Sequence, residues 1–518
     1  MADEVELKLT VAPERAAAVR HMSLLRRLGE KRAVTRQLNT VYFDTPNQAL
    51  AQRGIVLRIR SLGRRRVQTI KLPSEGLGGL QVLREIETTI AGDRPELDKI
   101  ADLRLRRLFA DKAIARELAP LFTTEFRRTV WPLRFNESLI ELAFDQGEIR
   151  AKSARLPISE IELELRNGRP EHLFELALAV HEVLPVTMGS ATKAARGYAL
   201  LAGAELAPAK ASAVGLVATM TARDAFAAAA RSCLAQMRAN EAPARLGKDP
   251  EGIHQLRVGL RRLRALATAY RDTLADDPHE YLSRELRWLQ QELNPARDWD
   301  VFIATTLTPI AERVTGVRPG LDAADELRAL AQTRACATLD SPRYTALLLR
   351  CYSWLATGAW ASADAAILDR PVGDFASAIL NRRHRRLRKF GGKRADMSEA
   401  ELHRLRLMAK KQRYVGEFFR ELYPRKATGK YIAALAAIQD VLGSLNDALV
   451  SRHLVEELER FLAGVPSLGP TAAARGAGII LGWQAARIAE DMGKVSGVWK
   501  SFLERKTFWP RPQPWGTR

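Results

Sequence analysis

Cysteine is nearly absent. Cys233, Cys336 and Cys351 are the only three, and no two of them form a CxxC pair. Neither a disulfide framework nor a thiolate metal site is implied, which suits a reducing compartment. Aromatic residues make up only 7% of the chain and do not interleave with the basic stretches described below, as base-stacking platforms require. Nucleic acid is therefore disfavoured as the principal partner. No run approaches the roughly 18–20 apolar residues that span a bilayer. The N-terminal MADEVELKLT is charged and lacks the apolar core of a signal peptide. These lacks lead us to expect a soluble, cytoplasmic protein with no membrane partner. No Ser–His–Asp or Cys–His arrangement stands out, which sets nucleophilic triads aside.

What is abundant is positive charge. The 518 residues carry 81 Lys+Arg against 60 Asp+Glu, a net +21, and such a surplus favours a polyanionic partner. A chain this long divides into two or three domains, and its texture changes once. Residues 1–205 alternate with period two, as in EVELKL (4–9), VLRIR (56–60), EIETTI (85–90), LIELAF (139–144) and SEIELEL (159–165). Turn signals stand at Asp44-Thr45-Pro46, Gly76-Leu77-Gly78-Gly79 and Asn167-Gly168. Helices are expected near 14–28, 98–118 and 171–183, the first entered through Pro13. Beyond about residue 220, Ala/Leu/Arg segments of helical period replace the alternation. We read 206–218 as a linker and 219–510 as an all-α domain. The excess charge lies mainly there: residues 210–518 carry +15, residues 1–209 only +6.

Residues two apart on a strand share a face. Glu4, Glu6 and Lys8 therefore point together, as do Arg58 with Arg60, Glu85 with Glu87, and Glu160, Glu162 and Glu164. The apolar partners Leu7, Leu57, Ile59, Ile161 and Leu163 take the other face. The pattern fits either a sheet with one solvated face or a closed barrel with a charged interior. Separate rows of carboxylates and guanidiniums favour the barrel. Carboxylate rows suit Mg²⁺ or Mn²⁺ shared with substrate phosphates, and Arg rows suit phosphoryl oxygens.

The ExExK of Glu4-Val5-Glu6-Leu7-Lys8 resembles the opening of the CYTH proteins, also called triphosphate tunnel metalloenzymes. The likeness continues through YFDT (42–45), LRIR (57–60), TIK (69–71), FDQGEI (144–149), EIELEL (160–165) and TKAARGY (192–198). It covers residues 1–205 and implies an α+β fold: an eight-stranded antiparallel β tunnel with helices, hydrolysing triphosphate compounds with Mg²⁺ or Mn²⁺. Catalysis would fall to Glu4, Glu6 and Lys8. Glu4 and Glu6 with Glu162 and Glu164 would hold metal and orient the attacking water, supported by Asp145. Lys8, Arg58, Arg60, Lys71, Arg128 and Lys193 would grip the triphosphate. Two residues depart from the pattern: Leu83 stands where relatives often carry Arg, and Thr192 replaces a frequent Ser.

The helical half contains a repeat. Phe226, His254, Arg257, Arg264, Asp298 and Val301 recur 149 residues later as Phe375, His403, Arg406, Arg413, Asp447 and Val450. We therefore expect two similar bundles, about 219–365 and 368–510, related by a pseudo-twofold axis. On a helix His254, Arg257, Arg261 and Arg264 share one face, and so do His403, Arg406, Lys410 and Arg413, with Lys411 adjoining. Ile253, Leu256, Leu260 and Leu263 form the opposite, buried stripe. Asp298 and Asp447 are expected to fix an Arg rather than bind metal. NRRHRRLRK (381–389) is a third basic stretch. HQLRVGLRRLR (254–264), ARDWDV (296–301), HRLRLMAKKQRY (403–414) and LGSLNDA (442–448) resemble the CHAD family. This likeness covers about 215–510, including a terminal WKSFLERKTFW (499–509), and implies two four-helix bundles whose basic groove binds inorganic polyphosphate.

Together these readings point to an inorganic triphosphatase acting on tripolyphosphate, associated with polyphosphate granules. The alternatives are a class IV-like adenylate cyclase, a thiamine or nucleoside triphosphatase, or a catalytically weak polyphosphate-binding protein. Oligomeric state is not readable.

Overall fold

The computed structural model describes residues 3–511 apart from 64, 74–79, 190, 204–206, 275, 315–316, 359–364, 393–396 and 465–469. The Gly76-Leu77-Gly78-Gly79 turn and the side chain of Leu83 lie outside what is described, and so does part of the 206–218 linker. The alternating segments form β1 (Asp3–Thr10), β2 (Val34–Asp44), β3 (Val56–Leu62), β4 (Arg65–Pro73), β5 (Gln81–Ile90), β6 (Ala119–Phe135), β7 (Ser138–Ala151), β8 (Ala154–Asn167) and β9 (Thr187–Met188). They pair in the order β5-β4-β3-β2-β6-β7-β8-β1-β9. Asp3–Glu6 of β1 also pair with Gln81–Arg84 of β5, which joins the ends of an eight-strand series. The ninth strand, two residues long, pairs with Leu9 and Thr10. It was not expected, because two residues are too few to show a period.

The alternation sorts the faces as expected. Leu7, Leu57, Ile59, Ile161 and Leu163 are buried. Phe43, Leu57, Ile59 and Ile70 pack with Leu105, Phe109 and Ile114 of two short helices, Leu103–Phe109 and Lys112–Glu117. One helix was expected there. Asp102 accepts from the backbone N–H groups of Arg104 and Leu105, and Asp111 from that of Ala113. Each carboxylate starts its own helix, so two form.

The inner face is not charged throughout. Tyr42, opposite Arg58 in register, stacks on Phe122 with centroids 4.5 Å apart, and Tyr198 meets Phe122 edge-on at 5.1 Å. The Arg128 guanidinium and Lys193 ammonium lie 5.7 and 5.0 Å from the Phe126 ring. Aromatic rings thus share the interior with the ions.

Tyr198 comes from the Lys193–Ala202 helix, which approaches β6 so closely that a Cβ on Gly197 would run into the Phe122 ring. Gly197→Ala is expected to destabilise the protein by about 1–3 kcal/mol, as overpacking of a filled interior does. Urea unfolding checks this, and an unchanged midpoint would refute the close packing.

Contacts divide the chain into two units, 1–206 with 340–358, and 207–339 with 359–518. In the first, the Pro342–Thr357 helix docks on Glu171–Val183. There Tyr352 stacks on Phe174 at 5.9 Å, and His181 Nε2 donates to the Pro342 carbonyl at 2.9 Å.

The second unit is built of helices. The repeat-related Phe226 and Phe375 meet the same side chain, Tyr270, at 4.8 and 4.3 Å. The two basic stripes ride on the helices Glu251–Ala269 and Glu399–Phe418, and Ile253, Leu256, Leu260 and Leu263 are buried as expected. At the C-terminal end, Phe502, Phe508 and Trp509 gather around Tyr431. No helix among the described residues is long and apolar enough to cross a membrane.

Candidate active site and basic cavity

Strands β1, β6, β7 and β8, with the Lys193–Ala202 helix, bring six charged groups into one buried network. The Lys8 ammonium lies 2.6 Å from Glu162. Arg128 donates through Nε and Nη2 to the two oxygens of Asp145, at 2.7 and 2.6 Å, and also contacts Glu162. Lys193 reaches Asp145 at 2.6 Å, Glu162 at 2.9 Å, and Glu160. Thr192 starts the helix that presents Lys193, its hydroxyl accepting from the Ala195 N–H at 3.0 Å. A hydroxyl suffices for this cap, so the Ser-to-Thr departure costs nothing there.

Asp145, Glu160 and Glu162 form a buried acidic triad with oxygens within 4.8 Å of one another. Against the burial that would raise it, Lys193, Lys8 and Arg128 hold the Glu162 carboxyl well below its ordinary range. Against the burial that would lower it, Glu162, Glu6 and Glu160 hold the Lys8 ammonium above its own. Three carboxylates and three cations thus compensate one another, as buried charges must.

The neighbouring groups are less balanced. Glu4 Oε2 and Glu6 Oε1 are buried and accept no hydrogen bond. Glu6 Oε1 lies 3.0 Å from Lys8, which links it to the network, and Glu6 is directly opposite Glu164 in register. Lys71 lies 3.5 Å from Glu4 and also contacts Glu85. Burial, and then the Glu85 carboxyl beside it, push Glu4 up to about 8. Glu164 is likewise raised by burial, with Glu141 and Glu6 adding to it against the Arg166 guanidinium.

On the cationic side, Arg58 Nε has no acceptor. Arg60 donates a long 3.4 Å bond to Thr40 Oγ1, and burial with Arg58 and Arg128 nearby lowers it to about 10. The Glu4 and Glu6 oxygens that accept no hydrogen bond, with Glu164 opposite Glu6, are hard oxygen ligands that fit Mg²⁺ or Mn²⁺. The unpartnered Arg58 Nε–H and the under-neutralised Arg60 guanidinium fit phosphoryl oxygens.

Four participants were not assigned from sequence: Glu160, Glu85, Tyr42 and Arg196, the last 2.6 Å from Glu160. The signal for Glu160 was present, two residues before Glu162 on one strand. Asp44 of the YFDT motif proves structural. It accepts from the N–H groups of Thr45, Leu50 and Ala51 and from the Tyr198 hydroxyl, at 2.7–2.9 Å.

In the helical unit a cavity of about 700 Å³ collects both stripes: His254, Arg257, Arg261 and Arg264 from one helix, His403, Arg406, Lys410 and Lys411 from the other. Arg413, on the same face, lies instead 3.5 Å from Glu417 and does not line the cavity. Arg257 donates to Asn294 Oδ1 at 2.8 Å and lies 3.7 Å from Asp298, the Arg-fixing role expected of that Asp. Buried N–H or ring nitrogens of Arg257, Arg261, His403 and Arg406 have no partner. Burial, and then Arg261, Arg406 and Arg257, push Lys410 down to about 6. A pocket of like charges with unfilled donors is built for an anion.

A tunnel-type β ring bearing such a site, followed by a helical unit with a basic cavity, defines the class. Residues 2–198 match the CYTH domain and residues 228–456 the CHAD domain, so the chain carries a CYTH domain followed by a CHAD domain. Among characterised relatives, the inorganic triphosphatase of Haemophilus influenzae is 33% identical over 204 residues, 39% of this chain and 55% of that protein. The match thus spans little more than half of that relative. The crystal structure of the CHAD domain from the plant Ricinus communis matches with a TM-score of 0.52 at 32% identity, covering 58% of this chain and 98% of that one.

Proposed function

We propose that the CYTH unit is a divalent-metal-dependent inorganic triphosphatase, hydrolysing tripolyphosphate to diphosphate and phosphate, and that the CHAD unit binds inorganic polyphosphate. The observation that carries this is an uneven charge balance in one buried space. Glu4 Oε2 and Glu6 Oε1 accept no hydrogen bond, Arg58 pairs with Glu85 at 3.7 Å but leaves its Nε without an acceptor, and burial with Arg58 and Arg128 nearby lowers Arg60. Phosphoryl transfer asks chiefly for positioning and charge neutralisation. Glu4, Glu6 and Glu164 would hold Mg²⁺ or Mn²⁺, which supplies positive charge at the phosphate oxygens when bound; Glu162 and Asp145, also expected among the ligands, are engaged by Lys8, Arg128 and Lys193 instead. Arg58, Arg60 and Lys71 grip the phosphoryl groups. The Lys8, Arg128 and Lys193 network, with Asp145, Glu160 and Glu162, keeps the floor rigid and offers further cations to the substrate.

A cyclase, or a thiamine or nucleoside triphosphatase, needs a slot for a ring. Here Tyr42 and Phe122 stack on each other, Tyr198 meets Phe122 edge-on, and both stacked rings are buried, so neither offers a free face to one. We expect phosphate release from tripolyphosphate to exceed that from ATP and thiamine triphosphate, to require Mg²⁺ or Mn²⁺, and to stop on adding EDTA. Comparable rates with ATP, formation of cyclic AMP, or activity that survives EDTA would overturn the reading. Cytoplasmic location and association with polyphosphate granules follow from the proposed ligand.

A further inference from the structure

The third basic stretch takes no part in the cavity itself. It lies on the Val372–Gly391 helix, which turns His384 and Leu387 inward and leaves Arg382, Arg385, Arg386, Arg388 and Lys389 exposed. Arg382 is neutralised by Asp272 at 2.8 Å. Among the described residues Arg383 and Arg386 have no such partner. They lie three apart, on one side of the helix.

Electrostatics tie this face to the cavity. Lys411 and Arg264 both line the cavity. Lys411 is lowered by burial and then by Arg383 and Arg264, while Arg383 falls to about 10 through burial and then through Arg382 and Arg386. The two helices pack side by side at this point: Gln412, the residue after Lys411, donates through Nε2 to the Leu380 carbonyl of the Val372–Gly391 helix at 3.2 Å, so cations of the cavity rim and of that helix are neighbours.

The duplication supplies an independent comparison. At the 149-residue offset, Arg382, Arg383 and Arg386 correspond to Cys233, Leu234 and Met237, all buried. The first copy uses these positions for core; the second carries arginines there, Arg382 and Arg386 exposed and Arg383 half-buried. The cavity itself draws on both copies almost equally, whereas this extension exists on one side alone.

We propose that the Val372–Gly391 helix is an outlying track for inorganic polyphosphate, along which a chain leaving the cavity past Lys411 continues onto Arg383 and Arg386. This rests on the CHAD unit binding polyphosphate. Neighbouring anionic units along the chain would replace the missing carboxylates, and occupation of the track would release counterions bound there.

The test measures binding of long-chain polyphosphate to the full protein over a salt series. Arg383→Gln/Arg386→Gln is expected to weaken binding about tenfold at low salt. It should also flatten the dependence of log K on log salt by about 1–1.5, as two lost phosphate contacts on a flexible polyanion do. Arg318→Gln/Arg475→Gln, two exposed arginines outside the cavity lining, removes equal charge and should change neither value by half as much. An equal effect of the control pair, or an unchanged slope in the track variant, overturns the track while leaving cavity binding standing. No binding by the unaltered protein overturns the polyphosphate reading itself. Single-stranded RNA bound as tightly, and weakened by the same pair, would assign the face to nucleic acid instead.

Discussion

Glu6→Gln is expected to lower tripolyphosphate turnover by about 100- to 1000-fold, the scale set by removing one preorganised electrostatic group from a buried phosphoryl or acyl site. Glutamine fills the same volume, so the packing of Leu7 and its neighbours is kept. What goes is a buried carboxylate oxygen that accepts no hydrogen bond and has the Lys8 ammonium 3.0 Å away, a group suited to a divalent cation. The unmutated protein tolerates that oxygen next to Lys8 and opposite Glu164. Removing its charge relieves repulsion with Glu164 and Glu4, so the thermal midpoint without added metal should stay level or rise. A catalytic loss with retained stability separates this role from a structural one. The stabilisation that Mg²⁺ or Mn²⁺ confers on melting should shrink in parallel. Turnover within a few-fold of the unmutated protein would reject Glu6 as a metal or water ligand. A falling midpoint would mean that the residue mainly supports the network around Lys8.

The strands, their inner and outer faces and the charged residues of the ring were legible because period two is a local property. Glu4, Glu6 and Lys8 could be placed on one face of their strand, and Arg58 with Arg60 on one face of theirs, from spacing alone. Which of them would meet was not legible, since pairing across strands depends on register fixed by contacts far apart in sequence. Sequence could not show that Lys193 would lie between Asp145 and Glu162, or that Arg128 would clasp Asp145 with both nitrogens. Nor could it show that these groups neutralise each other while Glu4 and Arg60 do not. The aromatic share of the interior was hidden for a different reason. Tyr42, Phe122 and Phe126 read like any outward-packing core residue until the register sets them beside Arg58 and Arg128. In the helical half the duplicated stripes announced the cavity, because the matched faces of both copies line it together. Arg413 fell outside it through Glu417, one turn along its own helix. The Pro342–Thr357 helix has the same Ala/Leu/Arg texture as its neighbours in sequence, and texture says nothing of where a helix docks.

Arg261→Glu combined with Lys410→Glu is expected to reduce polyphosphate affinity by about 100-fold or more, the scale for charges truncated or reversed in a desolvated ionic contact. Both side chains line the cavity, and Arg261 is among the charges that depress Lys410. Tripolyphosphate hydrolysis, assigned to residues of the other unit, serves as the parallel measurement, and equal loss of both activities would refute the division of labour. Lys410 also fixes a pH dependence whose sign can be worked out. Burial and then Arg261, Arg406 and Arg257 lower it to about 6, so in the free protein it is largely neutral at pH 7. A polyanion placed against it favours the ammonium and raises its pKa toward the ordinary lysine range. The complex then holds one proton more than the free protein between pH 6 and that range, and binding must weaken as pH rises through this window, by up to tenfold per unit. His254, pushed down to about 4 by burial and then by Arg297, adds a second proton only in more acidic solution. Calorimetry at pH 7.5 in buffers of different ionisation enthalpy should report uptake of close to one proton per cavity filled, and Lys410→Met should abolish it. Binding that takes up no proton, or a slope that persists in Lys410→Met, would show that the lysine is already charged before the anion arrives.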